Sequence, residues 1–303
     1  MMKKHAYLII AHNQPQLLEM LCQLLDHPNH DIFIHVHSEA EGFDFDHIKN
    51  AVKHSAVSFI PRTAVRWGSY SLVNCEMRLL KAAAEKGEYS YYHLVSGADL
   101  PLKNAQQLYD FFEASDGREF VDIRYGQDKN WDAKMEKRIR YYYPFRDAVN
   151  VRDNIIGLLE NKLVKLQQKL GVNRLKDMDK GIASGSQWFS ITHDLANFVL
   201  QNSEWVEKHF RYGGCGDELF LQMLIRDTEF ESRIYSDGEN HIANMRFIDW
   251  KRGNPYTFKE EDFEQLLNSG YMFARKFDIV NHSRICKKIY SHLTAVQEVK
   301  NAE

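Results

Sequence analysis

The first hundred residues alternate short apolar runs with leucines at helical spacing, and that alternation limits the fold more than any other feature. Ala6–Ala11 is a six-residue apolar run ending at His12-Asn13. Leu17, Leu18, Leu21, Leu24 and Leu25 then recur at the period of a helix. Asp31–His37 is rich in β-formers, so strand, helix and strand follow within 40 residues, the signature of a βαβ unit. Val57–Ile60 predicts a third strand, Ser71–Lys86 a helix, Tyr91–Val95 a fourth strand, Ala105–Glu113 a short helix, and Glu119–Ile123 a further strand. Such a series folds as an α/β domain around a mostly parallel sheet flanked by helices. Ligands of open sheets sit beyond the carboxyl ends of the strands. Here those ends carry His12-Asn13, His37-Ser38-Glu39 and Ser96–Asp99, all polar, although strand-to-helix loops are commonly polar without binding anything.

The middle of the chain breaks this rhythm. Residues 131–152 include RIRYYYPFRD, basic and aromatic together. Asn154–Leu170 predicts an amphipathic helix with Ile155, Leu158, Leu159, Leu163, Leu166 and Leu170 apolar and Lys162, Lys165 and Lys169 opposite. Such a helix either packs on the domain with a solvated lysine face or lies on an anionic membrane surface. From Gly181 strands and helices return: a strand at Trp188–Ile191, a helix at Asp194–Gln201 capped by Thr192 or Asp194, and a helix at Asp217–Arg226 opening on two acids. A helix over 260–268 precedes FARKFD and a basic tail. With no linker in between, the expectation is a single domain over 1–303. It comprises a nucleotide-binding half (1–124), a basic helical insertion (125–180) and an acceptor and catalytic half (181–303).

Composition narrows function by exclusion. With 39 Lys+Arg against 42 Asp+Glu the net charge is −3, which argues against a dedicated nucleic-acid binder. No stretch approaches 18 apolar residues, and the run after Lys3-Lys4 is too short for a signal peptide, so a cytoplasmic protein is expected. Cys22, Cys75, Cys215 and Cys286 are scattered, the pattern of free thiols. There is no phosphate-binding G-x-x-x-x-G-K-[ST], no G-x-G-x-x-G after the first strand, and no G-x-S-x-G. His35 and His37 share a strand face but match no metal motif. D-x-D pairs, which can hold a divalent cation on a diphosphate, occur at Asp44-Phe45-Asp46 and Asp177-Met178-Asp179, neither after a strand. The fourth strand ends instead on a lone carboxylate, Asp99, so no metal site is expected. What remains is Glu218, in a Gly-rich turn after Cys215, and the cations Lys251-Arg252 and Arg275-Lys276. Brought together, they would supply a general base and a cradle for a phosphate leaving group. Taken singly, each reads as a solvated surface charge.

Several blocks in order resemble one family. They are YLIIAHNQ (7–14), IFIHVHS (32–38), RWGSYSLVNCEMRLLKAA (66–83), YYHLVSGADLPLKN (91–104), GSQWFSITHDL (185–195), DELFLQML (217–224), IDWKRGNPYTF (248–258) and FARKFD (273–278). The chain is similar to the core-2/I-branching N-acetylglucosaminyltransferases and protein-O-xylosyltransferases of glycosyltransferase family 14. The resemblance covers nearly all the chain outside 125–180. It implies a GT-A-like fold, inversion at the anomeric carbon, and no metal cofactor, with a UDP-sugar (UDP-GlcNAc first, xylose or glucose as alternatives) as donor substrate. It makes Glu218 the catalytic base and Lys276 a diphosphate contact. An arginine that precedes this block in animal enzymes is absent in register, so Arg252 or Arg275 is its substitute. The family's H-V-D reads His35-Val36-His37 here, which puts His37 where an aspartate helps hold the nucleoside. His12, Asn13 and Asp99 complete the expected donor side. Trp250, Trp188 and Asp217 form the expected acceptor side, each tryptophan serving as a sugar platform or as core. The acceptor implied is a glycan or lipid-linked glycan, and the basic middle segment would suit one held at the inner membrane face. A non-catalytic binding protein on the same scaffold is the reading from another class.

Overall fold

The structure is a computed structural model that describes residues 3–125, 129–149, 155–238 and 242–300. Five strands form the main sheet: β1 (His5–Ala11), β2 (His30–Val36), β3 (Ala56–Phe59), β4 (Tyr91–Ser96) and β6 (Ser190–Thr192), in the order β3-β2-β1-β4-β6. The first four are parallel and β6 runs antiparallel to β4.

The period-2 geometry of strands explains how a nearly continuous apolar run builds two cores. Ala6, Leu8 and Ile10 of β1 pack with Tyr92 and Leu94 of β4 on the face covered by α3 (Tyr70–Lys86) and α7 (His193–Gln201). Tyr7, Ile9 and Ala11 join Ile32, Ile34 and Val36 on the face covered by α1 (Pro15–Leu24) and α12 (Ser283–Lys300). Helix starts follow the local chemistry. Ser69 accepts from the Ser71 amide at the head of α3. Asn104 and Gln107 form a reciprocal capping box at the head of α4 (Ala105–Ala114). Of the two caps expected for α7, Thr192 is the one used.

The smaller elements are α2 (Phe45–Asn50), which precedes α3, and β5 (Asp99–Pro101), α5 (Lys129–Arg140) and α6 (Ile155–Lys169), which lie between α3 and α7. Further on come α8 (Ser203–Phe210), α9 (Phe220–Ile225), α10 (Glu229–Ser232), β7 (Arg246–Ile248), α11 (Phe263–Leu267) and β8 (Phe273–Arg275). Three of the expected elements change. Residues 119–123 form no strand: Glu119, Phe120 and Arg124 make isolated bridges to Ile234, Ser190 and Ser184, because the segment crosses from one partner to the next. The single helix expected at Asp217–Arg226 is a one-turn 3-10 helix, Gly216–Glu218, followed by α9, with the break at Leu219. The basic tail is the long helix α12. Asn154, the expected first residue of α6, and residues 150–152 of the basic aromatic block lie outside the described residues.

A second sheet, in the order β5-β8-β7, grows from the carboxyl end of β4. Its pairing sets Asp99 opposite Arg275 and Ile248 beside Arg275. The junction is close: Gly97 donates its amide to the Ile10 carbonyl at 2.9 Å, and a Cβ there would meet that of Ala11 at 3.0 Å. β1 and β4 part here, since the chain runs outward to β2 and β3 on one side and to β6 on the other. A sheet of this kind opens its ligand crevice at such a switch point. Buried Arg246 secures the junction by donating to the carbonyls of Asn244, Leu94 and Phe189. Burial lowers its pKa to about 9.

Candidate active site

The three strand ends are tied to one another. His37 donates its amide to the Ala11 carbonyl at 2.8 Å, and Phe277 donates to the Ala98 carbonyl at 2.9 Å. The Ile279 amide reaches the Gln14 side chain at 2.7 Å. The FARKFD segment therefore lies across the ends of β1 and β4. His12 registers the arrangement electrostatically. Its imidazole is held below the usual histidine range, first by desolvation and then by the positive charges of Arg275, Lys276 and His37. His12 and Asn13 are exposed, whereas Arg275, Lys276 and His37 are half-buried.

The two adjacent cations differ in role. Arg275 is pinned: it donates to Asp99 Oδ1 at 2.8 Å and to Ser96 Oγ, and its guanidinium lies over the Trp188 ring at 4.8 Å. Asp99 is fully buried and also accepts from the Ser96 amide, so it works as a clamp for Arg275. Among the described residues the Lys276 ammonium has no hydrogen-bond or ion-pair partner. It is the cation left available to an anionic ligand. The Nδ1 of His37 accepts the Val65 amide at 2.9 Å, which leaves Nε2 carrying the proton, 3.7 Å from Glu39.

Glu218 sits at the end of the 3-10 turn, with its side chain 43% exposed and paired to Arg138 of α5 at 2.6 Å. Its carbonyl accepts the Gly185 amide at 3.0 Å. From Gly185 the chain runs directly to Trp188, beneath Arg275, a span of at most about 11 Å. The acid and the cations thus share one end of the sheet, joined by the segment 185–188. Gly185 has no alternative here, because a Cβ would stand 1.7 Å from the Asp122 carbonyl oxygen.

Behind Glu218 are two carboxyl groups of a different kind. Asp217 is buried, and burial followed by the charge of Glu218 pushes it up to about 7. Glu76 of α3 is buried too and is raised well above the carboxylate range by desolvation and by Asp217. Gln187 donates to Glu76 Oε1 at 2.9 Å, while among the described residues Glu76 Oε2 and Asp217 Oδ1 have no hydrogen-bond partner. The enclosure of these two acids leaves Glu218 as the accessible carboxyl group of the three.

The remaining expected residues fall into place differently. Asp217 lies under the turn, too enclosed to lie against a sugar. Trp188 belongs to the core and serves as the floor under Arg275. Trp250, two residues beyond β7, is 59% exposed, as a platform requires. Arg252 is engaged elsewhere: it pairs with Asp249 at 2.5 Å and Asp262 at 2.6 Å, and it stacks over Tyr256 at 4.0 Å. Both arginines are thus ion-paired, Arg252 to Asp249 and Asp262 and Arg275 to Asp99, and Arg275 is the one adjacent to Lys276. Three residues were not singled out from the sequence. Arg138 was hidden within a basic block in which no one arginine stood out. Glu76 had a signal, an acid on the core-facing stripe of α3 with Leu72, Leu79 and Leu80. Trp67 is 55% exposed beside the turn, since Cys215 donates its amide to the Gly68 carbonyl at 2.9 Å.

Among the described residues no three His, Cys, Asp or Glu side chains gather as a metal-ligand set, and no helix is long and apolar enough to cross a membrane.

Comparison with known proteins places the chain in a family. The model of the core-2/I-branching enzymes matches residues 5–267. The xylosyltransferase oxt of Drosophila pseudoobscura is 24% identical over 247 residues, covering 73% of this chain and 25% of its own length. A human β-1,3-galactosyl-O-glycosyl-glycoprotein β-1,6-N-acetylglucosaminyltransferase is 21% identical, covering 90% of this chain and 66% of its own. The chain thus spans about a quarter of the fly enzyme it matches. Among solved structures, mouse xyloside xylosyltransferase 1 aligns over 90% of this chain and 97% of its own at 10% identity, with a TM-score of 0.33. The family match takes in the three strand ends, the Glu218 turn and most of the second sheet; the chain belongs to the core-2/I-branching enzymes, glycosyltransferase family 14.

Proposed function

We propose that the chain transfers a sugar from a UDP-sugar to a hydroxyl of a glycan acceptor, with inversion and without a metal ion. The observation that carries this reading is the placement of an exposed carboxylate and an unpaired ammonium at one end of the sheet. Glu218 takes the proton of the acceptor hydroxyl as that oxygen attacks the anomeric carbon. The bond from that carbon to the diphosphate breaks, and its electron pair leaves on the phosphate oxygen. The transition state has oxocarbenium character, as in glycoside hydrolysis. Lys276 neutralises the charge that accumulates on the diphosphate, beside Arg275, and does so where a divalent cation would otherwise act. Arg138 holds the base in place. His37, His12 and Asn13 line the donor side, and Trp250 and Trp67 offer faces for the acceptor sugar.

The donor is UDP-GlcNAc or UDP-xylose, the two sugars named by the matched relatives' activities, with UDP-GlcNAc preferred. UDP release measured over a panel of UDP-sugars and glycan acceptors, with and without EDTA, tests the reading. Turnover that persists in EDTA supports it. Turnover abolished by EDTA and restored by a divalent cation would remove the metal-free mechanism. UDP-sugar binding with no release over a broad acceptor panel would favour a binding protein.

A further inference from the structure

Helix α6 is mounted with its polar side inward. Glu160 and Gln167 are buried with Val164, while Ile155, Leu158, Leu159 and Leu166 point away from the protein, from 51% exposed at Leu166 to 73% at Ile155. Leu170, just past the helix, is 70% exposed. The orientation is enforced by specific bonds. Arg146 Nε donates to Glu160 Oε2 at 2.9 Å. Gln167 brackets the Tyr142 peptide, accepting from its amide at 2.8 Å and donating to its carbonyl at 2.9 Å. At 100° per residue these anchors fix the outward arc, and the exposed leucines fall within it. An ordinary surface helix would turn them to the core.

Charge on the same arc is of one sign. Lys162, Lys165 and Lys169 are exposed alongside the leucines, and no exposed residue of α6 is acidic. The helix is about 22 Å long and does not span a bilayer, but its length suits one lying in the interface plane. Lysine stems can cover the apolar ridge while their ammonium groups rise to phosphate headgroups. A second copy of the chain fits less well, because an isologous contact through this face would crowd the same lysines from both partners.

We propose that α6 is a docking surface for an anionic phospholipid bilayer. The leucine ridge enters the acyl boundary, and the three lysines engage lipid phosphates. The proposal stands on this helix alone and does not rest on the reaction above.

Co-sedimentation of the full chain with vesicles tests it, comparing phosphatidylcholine containing phosphatidylglycerol with phosphatidylcholine alone. The parent protein is expected to pellet with the anionic vesicles and to be released by high salt. A Leu158→Gln/Leu159→Gln/Leu166→Gln variant and a Lys162→Glu/Lys165→Glu/Lys169→Glu variant should each bind on the order of tenfold or more weakly. All six positions are surface-exposed or outward-facing, so thermal midpoints near the parent's confirm intact folds. A parent that stays in the supernatant, equal binding to both vesicle types, or variants that pellet like the parent would overturn the proposal. So would a parental dimer in sedimentation velocity that the leucine variant dissolves while vesicle binding is absent.

Discussion

Glu218, Asp217, Glu76 and Lys276 are each defined by what surrounds them, and the proposed reaction rests on the first and the last. Glu218 is accessible, whereas Asp217, one residue earlier, is buried and pushed up to about 7. Replacing Glu218 by Gln should therefore lower the turnover rate about 100-fold or more while leaving UDP affinity near the parent's. Steady-state kinetics together with calorimetric UDP titration separate the two effects. Lys276→Ala should lower turnover by a similar factor and weaken UDP binding as well, because the proposed role of that amine is to neutralise the leaving diphosphate. Unchanged UDP affinity in Lys276→Ala would show that the ammonium faces something other than the diphosphate. Glu218 and Lys276 were assigned their roles in the sequence only through family resemblance. Spacing alone left both as ordinary surface charges. Glu76 shows the reverse: an acid on an apolar helical stripe is visible without any relative, but its partner Asp217 lies some 140 residues on, and only the fold brings them together.

At the scale of elements, the short segment Gly185–Trp188 joins the Glu218 turn to Arg275. Gly185→Ala would drive a methyl group into the Asp122 carbonyl. It should cost at least about 2 kcal/mol in stability, read from denaturant unfolding. A variant that kept parental stability and turnover would show that this joint tolerates movement. The first four strands were readable because each is an apolar run of four to seven residues bounded by polar turns. The second sheet was not: its strands are three residues long, too short for a period to show. Helix α6 was expected to carry its lysines opposite its leucines, but both point outward, and the inward stripe is Glu160, Val164 and Gln167. That choice was made by Arg146 and Tyr142, outside the helix.

For the whole molecule, buried titratable groups sit at both ends of the sheet and act on stability in opposite directions. At the amino ends of β1, β2 and β4, His5, His30 and His93 pack together, their rings 5.6 Å and 5.0 Å from His5, with Glu113 bonded to His5 at 3.1 Å. Burial holds His30 and His93 well below the usual range. Neutral in the fold, they contribute stability above about pH 6.5, and that contribution is lost as pH falls below it. Burial raises Glu76, and it raises Asp217 to about 7. Protonated in the fold, these acids contribute stability at low pH, lost as pH rises toward 7. Between pH 7 and 5 the two sets offset each other in the parent protein. A Glu76→Gln/Asp217→Asn variant removes one set. Its thermal midpoint should exceed the parent's at pH 8 and fall more steeply than the parent's on acidification to pH 5. Parallel curves for the two proteins would contradict the assignment of protonated acids.

The central claim is that the acid of the 3-10 turn and the amine of β8's trailing residue serve one ligand. A crystal structure of the chain with bound UDP tests it directly. The account predicts diphosphate oxygens within about 3 Å of the Lys276 ammonium, the β-phosphate directed toward Glu218, and the uridine beside His37. A diphosphate bound away from Lys276, or a β-phosphate facing away from Glu218, would contradict it.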